Sequence, residues 1–114
     1  MPSRYGLEVG GSATGETRLR VSGEVDLVSA PPLLDSILCA GIAAPDGQRI
    51  VVDLGDVSFI DSSGLAALVD ANRRLADRGQ QLVVANPGSG VWRIFTLAGI
   101  DQILVVDREP TVID

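Results

Sequence analysis

Ile50-Val51-Val52-Asp53-Leu54-Gly55-Asp56-Val57-Ser58-Phe59-Ile60-Asp61-Ser62-Ser63-Gly64-Leu65 reads as a buried strand, a tight acidic turn carrying two hydroxyls, and the opening of a helix. The run Ile50 to Leu54 is short, apolar and β-branched, as suits a strand covered on both faces. Beyond the turn, Leu65, Leu68, Val69, Leu75 and Ala76 fall on one helical stripe that Asn72 interrupts. Gly79 follows as a left-handed stop, so the helix is predicted to end near Arg78. Ser62 and Ser63 therefore stand at a helix N-terminus, where unpaired backbone N–H groups and the positive end of the helix dipole welcome an anion. A phosphoryl group on either serine would meet those N–H groups, yet Asp61 beside it would repel the added charge. The plainer alternative is that one serine caps the helix, and spacing alone favours it, although Leu65 and Ala66 supply no partner for a capping box.

Toward the N-terminus, Leu7 and Val9 flank Glu8, and Gly10-Gly11-Ser12-Ala13-Thr14-Gly15 supplies turn chemistry, which predicts a β-hairpin. In its second strand Leu19, Val21 and Val25 share one face while Arg18, Arg20, Ser22 and Glu24 share the other, so both arginines are expected in solvent. Gly23-Glu24-Val25-Asp26 ends that strand. Ala30-Pro31-Pro32 then opens a helix, since proline suits a first helical turn. Leu33, Leu34, Ile37, Leu38 and Ile42 repeat at helical spacing, with Gly41 and Ala44-Pro45-Asp46-Gly47 as the stop.

Toward the C-terminus, Leu82-Val83-Val84-Ala85 is another short apolar strand. The loop Asn86-Pro87-Gly88-Ser89-Gly90 lacks the Lys-Ser/Thr ending of a phosphate-binding loop and reads as a turn with Ser89 as N-cap. Val91, Ile94, Phe95 and Ala98 make a short helix closed by Gly99, with Trp92 packing near its start, and Ile103 to Val106 is the last strand. Strands alternating with helices make the fold class α/β: a mostly parallel sheet with an N-terminal hairpin and right-handed βα crossovers.

With 114 residues, one domain over 1–114 is expected. The balance of 46% hydrophobic and 21% charged residues is that of a packed globular chain. A net charge of −6 argues against a nucleic-acid surface, which needs a basic patch, and so points to a protein partner. Cys39, the only cysteine, lies in an apolar run, so a buried structural thiol is expected and no intramolecular disulfide can form. No apolar stretch approaches a membrane span, and Met1-Pro2-Ser3-Arg4 adjoins no signal core, so the expected location is cytoplasmic.

Catalysis finds little to work with. The absence of histidine removes a Ser-His-Asp triad, a Cys-His pair and imidazole ligation, and one cysteine cannot hold zinc; neither a metal nor a cofactor is expected. Paired carboxylates remain at Asp53, Asp56 and Asp61, a common composition for acidic turns.

The run from Val52-Asp53-Leu54 through Phe59-Ile60-Asp61-Ser62-Ser63-Gly64-Leu65 resembles the signature of STAS domains, in particular the stand-alone bacterial anti-sigma factor antagonists. Three further matches follow the family's order: Gly23-Glu24-Val25-Asp26, Phe95-Thr96-Leu97-Ala98-Gly99-Ile100, and a closing apolar strand. The likeness covers roughly Leu7 to Asp107. STAS domains usually finish with one more helix packed on the sheet, whereas Glu109-Pro110-Thr111-Val112-Ile113-Asp114 allows a turn or so at most, so that helix is expected to be short or absent.

The resemblance implies a regulatory protein that binds an anti-sigma factor and so frees a sigma factor. In those relatives the serine directly after the aspartate is phosphorylated by the anti-sigma factor acting as a serine kinase, which places that role on Ser62. Asp26, Asp61, Ser63 and Gly64 are expected to line the same partner-binding surface, and a separate phosphatase would reset the switch. The alternative within the family is an accessory subunit of a larger assembly, such as a lipid-transport ATPase complex or a stress-signalling scaffold.

Overall fold

The computed structural model describes residues 4–11, 15–45 and 47–108. Alternation in the first two strands produces the expected hairpin: β1 (Gly6–Gly11) pairs antiparallel with β2 (Glu16–Val25), from Gly6 opposite Ser22 to Gly11 opposite Thr17. After β2, helices carry the chain back for each parallel strand. They are α1 (Ala30–Ala43) before β3 (Arg49–Ile60), α2 (Ser62–Asp77) before β4 (Gln81–Ala85), and α3 (Ser89–Leu97) with a 3-10 turn (Ile100–Gln102) before β5 (Val105–Asp107). The sheet order is β1-β2-β3-β4-β5, parallel from β2 onward, so β3 is central.

One face of the sheet carries the main core. Leu19, Val21 and Val25 of β2, Ile50, Val52 and Leu54 of β3, and Leu82 and Val84 of β4 pack with Leu33 and Ile37 of α1, Leu65, Leu68 and Leu75 of α2, and Phe95 of α3. Val51, Val83 and Ala85 form a second small buried cluster. The first half of β3 is thus buried on both faces, which is why it reads as an unbroken apolar run rather than an alternation. Each such side chain stabilises the fold by roughly 1.5–3 kcal/mol before ordering entropy is counted.

The structure corrects several expectations. The acidic segment from Gly55 is not a turn: β3 continues through it to Ile60 and pairs with β2 across irregularities at Arg20/Ser22 and Gly23/Glu24. Those bulges accommodate Gly55, Asp56 and Ser58 in a strand while still burying Val57 and Ile60. Gly23 sits there at φ +84°, and a Cβ on it would strike the Arg4 carbonyl and approach the Tyr5 nitrogen to 2.9 Å. The strand-ending glycine is therefore required by close backbone approach as well as by its dihedral.

Gly41 does not stop α1. It lies inside the helix, buried where a Cβ would come within 2.5 Å of Leu75 Cδ2, and its carbonyl accepts a 2.8 Å bond from Gln80 Nε2, so it lets α1 approach α2. Cys39 is exposed rather than buried, and Ile42 is 67% exposed, because Leu33, Ile37 and Gly41 form the inward stripe and these two residues fall outside it. Arg18 is not simply solvated: its Nη1 meets Asp53 Oδ2 at 2.8 Å, and Asp53 also accepts from Gly55 N and Asn86 Nδ2. Ser89 belongs to α3, with Gly88 at the N-cap position, and the last strand starts at Val105 because Ile100–Gln102 tightens into a 3-10 turn. The hairpin residues 12–14 and the chain end from 109, where the short final helix is expected, lie outside the described residues.

Candidate functional site

Two helices begin side by side at the carboxyl ends of β2 and β3. Val25 is paired with Ile60, and the Asp61 N–H donates to the Val25 carbonyl at 3.1 Å, so Asp26 and Asp61 leave neighbouring strands together. Both helix entries thus lie at the carboxyl end of the parallel strands.

The cap of α2 is Asp61, not a serine. With extended backbone, its Oδ1 accepts from Ser63 N at 2.9 Å and Gly64 N at 3.1 Å, while its carbonyl takes the Leu65 N–H at 3.0 Å. Aspartate caps a helix as well as serine does, so the signal was present in the sequence but outvoted by the two serines after it. A phosphoryl group on Ser62 would consequently find the Ser63 and Gly64 N–H groups already taken by a carboxylate. Ser62, the first residue of α2, is exposed and lines an open apolar groove with Leu65, Val69, Asp70, Arg73 and Ile100. Half-buried Ser63 lines a second groove on the other flank of α2, with Leu27, Pro31 and Leu34.

Asp26 builds the entry to α1. Its Oδ1 accepts from Val28 N at 3.0 Å and Ser29 N at 3.1 Å, and its own N–H donates to Ser29 Oγ at 2.9 Å. The single Ser29 hydroxyl proton lies between the Glu24 carbonyl at 2.9 Å and Asp26 Oδ1 at 3.1 Å. The backbone N–H of Ser29, foremost, holds the Asp26 carboxyl below its ordinary value of 3.8. Protons therefore bind the unfolded chain first as pH falls. Its stabilisation is fully present above about pH 4 and is lost as pH drops through the lower, folded value. Asp26→Asn is expected to flatten that acid limb in melting temperatures recorded from pH 7 downward.

Gly64 stands apart from the other candidate residues. It is buried, and a Cβ on it would come within 2.6 Å of Ile60 Cγ1 and 2.7 Å of Val25 Cγ1, so the glycine seats α2 on the strands and offers the surface no side chain. Gly64→Ala is expected to lower stability by about 1–3 kcal/mol through overpacking, read as a lower midpoint in urea unfolding.

Asp53, Asp56 and Asp61 are not brought together. Asp53 is tied to Arg18 in the first half of β3, eight residues before Asp61 and roughly 25 Å from it at the usual rise per strand residue. Sequence reasoning missed Leu27 and Val28, which are 74% and 75% exposed in the link between Asp26 and α1. Two apolar residues inside a short polar connection were the available signal. Among the described residues, no group of three or more Cys, Asp or Glu converges as a metal site, and no helix is long and apolar enough to cross a membrane.

Comparison with known proteins adds to this geometry. Residues 10–106 match the family described as "Mlab, STAS domain". The anti-sigma-B factor antagonist of Listeria monocytogenes is 27% identical over 100 residues, covering 88% of this chain and 86% of the relative. Among solved structures, an anti-sigma factor antagonist from Mycobacterium paratuberculosis superposes with a TM-score of 0.75 at 29% identity, over 98% of this chain and 91% of that one. The Bacillus antagonist SpoIIAA shares the fold in its unphosphorylated form at a TM-score of 0.72 and 21% identity, over 93% of this chain and 90% of its own. In its phosphorylated form the values are 0.66 and 20%, over 93% of each chain.

Proposed function

Because the chain belongs to the STAS domain family, we propose that it is an anti-sigma factor antagonist: unphosphorylated, it binds an anti-sigma factor with serine kinase activity and so releases a sigma factor. Phosphorylation of Ser62 by that partner ends the binding, and a separate phosphatase restores it. The observation that carries this reading is the Asp61–Ser62–Ser63 junction. It presents an exposed hydroxyl at the first position of a rigidly capped helix, between two apolar grooves and next to a second helix entry at Asp26. Ser62 is the accepting residue, Asp61 and Asp26 fix the helix entries, and Ser63 and the exposed Leu27 belong to the docking surface. The exposed apolar side chains supply contact area, while the carboxylates set the charge that a phosphate would compound. Regulation by docking is the activity of this family's antagonists, and the chain acts in the same way rather than as an enzyme.

The experiment is a competition. The unmodified chain, titrated into a preformed complex of sigma factor and anti-sigma factor, is expected to displace the sigma factor, and Ser62→Ala is expected to displace it equally well. Failure of both to bind the anti-sigma factors encoded in the same genome would remove the proposal. A permanent place in a larger assembly is the second reading, favoured by the extent of apolar exposure at Leu27 and Val28. Stable co-purification with other subunits, without phosphoryl transfer, distinguishes it.

A further inference from the structure

Among the described residues the sheet ends at β1, which pairs with β2 alone, so the outer row of N–H and C=O groups along Gly6–Gly11 has no strand partner there. Natural edges are usually blunted by Lys, Pro or a bulge. β1 has none of these: its sequence is Gly-Leu-Glu-Val-Gly-Gly and its register with β2 runs unbroken. On the helix side of this edge, Val9 is 62% exposed and lies along a groove with Cys39, Ala40 and Ala43 of α1. Ile42, 67% exposed, follows Cys39 within one helical turn.

We propose that β1 is a homodimer edge, at which two copies of this chain pair antiparallel about a two-fold axis at Val9 to make one continuous sheet. Charge selects this register. Glu8 lies opposite Arg20 and Gly10 opposite Arg18 within the hairpin. Centring on Val9 sets Glu8 against the copy's Gly10, which has no side chain, with the copy's Arg18 next in the row about 4.8 Å further on. Arg18 is engaged by Asp53 and Glu16, so what this register gives each Glu8 is its own Arg20 across the hairpin and no carboxylate opposite it. Centring one residue earlier would set two Glu8 carboxylates directly opposite each other, a destabilising pair. The Val9 register also brings Val9 onto Val9 and turns the Cys39–Ile42 faces of the two α1 helices toward one another. The edge lies two strands away from β3, so dimerisation is independent of the proposed antagonist role and leaves Ser62 open.

Sedimentation equilibrium over roughly 5–200 μM, a range that detects a micromolar dissociation constant, should show the mass rising from 11.9 kDa toward twice that value. Val9→Lys and Glu8→Arg should both hold the chain monomeric while leaving its thermal melt cooperative. Leu97→Lys, at an exposed residue of α3, should leave the dimer intact. A short bis-maleimide should join Cys39 to Cys39 in the wild type and not in Val9→Lys. A wild-type chain that stays monomeric throughout overturns the proposal. So does a dimer that survives both β1 variants, which would place the contact elsewhere, or a β1 edge that is captured only by the anti-sigma factor.

Discussion

Val52→Asp is expected to leave the chain without a cooperative fold. Val52 is fully buried, with Leu19 of β2 and Val84 of β4 beside it in the ladder and α-helical side chains above. A carboxylate there has only apolar neighbours in the cluster, so it must either stay charged without a partner or take up a proton at neutral pH. Leaving a charge buried and unpaired costs about 3–5 kcal/mol or more, against a total stability of roughly 5–15 kcal/mol for a domain of ordinary size. The lost packing of the valine methyl groups adds to this. Phe59→Asp is the informative comparison, because Phe59 is on the same strand but 44% exposed. That variant should melt cooperatively, and a Val52→Asp protein that did the same would contradict a central β3.

Charge at position 62 should have the second large effect. A phosphoryl group adds about −1.5 to −2 charge. It does so beside an Asp61 carboxylate that already occupies the Ser63 and Gly64 N–H groups, and close to Asp26 at the neighbouring helix entry. A phosphate on Ser62 would therefore stay in solvent, and any partner docking over it would have to desolvate a dianion beside two carboxylates. Ser62→Asp should reproduce part of this. One charge replaces nearly two and fewer oxygens need desolvation, so a loss of roughly tenfold in affinity is expected at low salt, shrinking as salt screens the exposed component. Fold stability should hardly change, since a carboxylate at a helix N-terminus is compatible with the dipole. Ser62→Asn, of similar size and uncharged, should bind like the wild type. If it disrupts binding as much as Ser62→Asp does, the switch is steric.

Much of the fold was legible in the chain because local signals and tertiary packing agree. Of the stripe Leu65, Leu68, Val69, Leu75 and Ala76, the three leucines are buried and Ala76 is exposed; with the stop at Gly79 they still mark α2, and the β-branched run Ile50–Leu54 marks a central strand. Misreadings fall where distant contacts decide. Gly55, Asp56 and Ser58 carry turn chemistry, yet bulged pairing with β2 keeps them in β3. Gly41 resembles a helix stop, but the approach of Leu75 and Gln80 gives it an interior role that no window around residue 41 contains. Arg18 and Asp53 are far apart in sequence, so their ion pair was hidden, and with it the fact that Asp53 is structurally committed. At the site, motif order pointed to the junction at Ser62, whereas the identity of the cap depended on side-chain geometry that Asp61 and the serines could each have supplied.

The most direct measurement is mass analysis of the chain after incubation with ATP and each anti-sigma factor kinase encoded in its own genome, with Ser62→Ala and Ser63→Ala in parallel. The wild type and Ser63→Ala should each gain one phosphoryl group, mapped to Ser62, and the modified wild type should no longer bind the kinase. Ser62→Ala should gain none while still binding. Labelling that persists in Ser62→Ala and disappears in Ser63→Ala would move the switch to the other serine, and a wild type that binds its anti-sigma factor yet is never modified would contradict the switch itself.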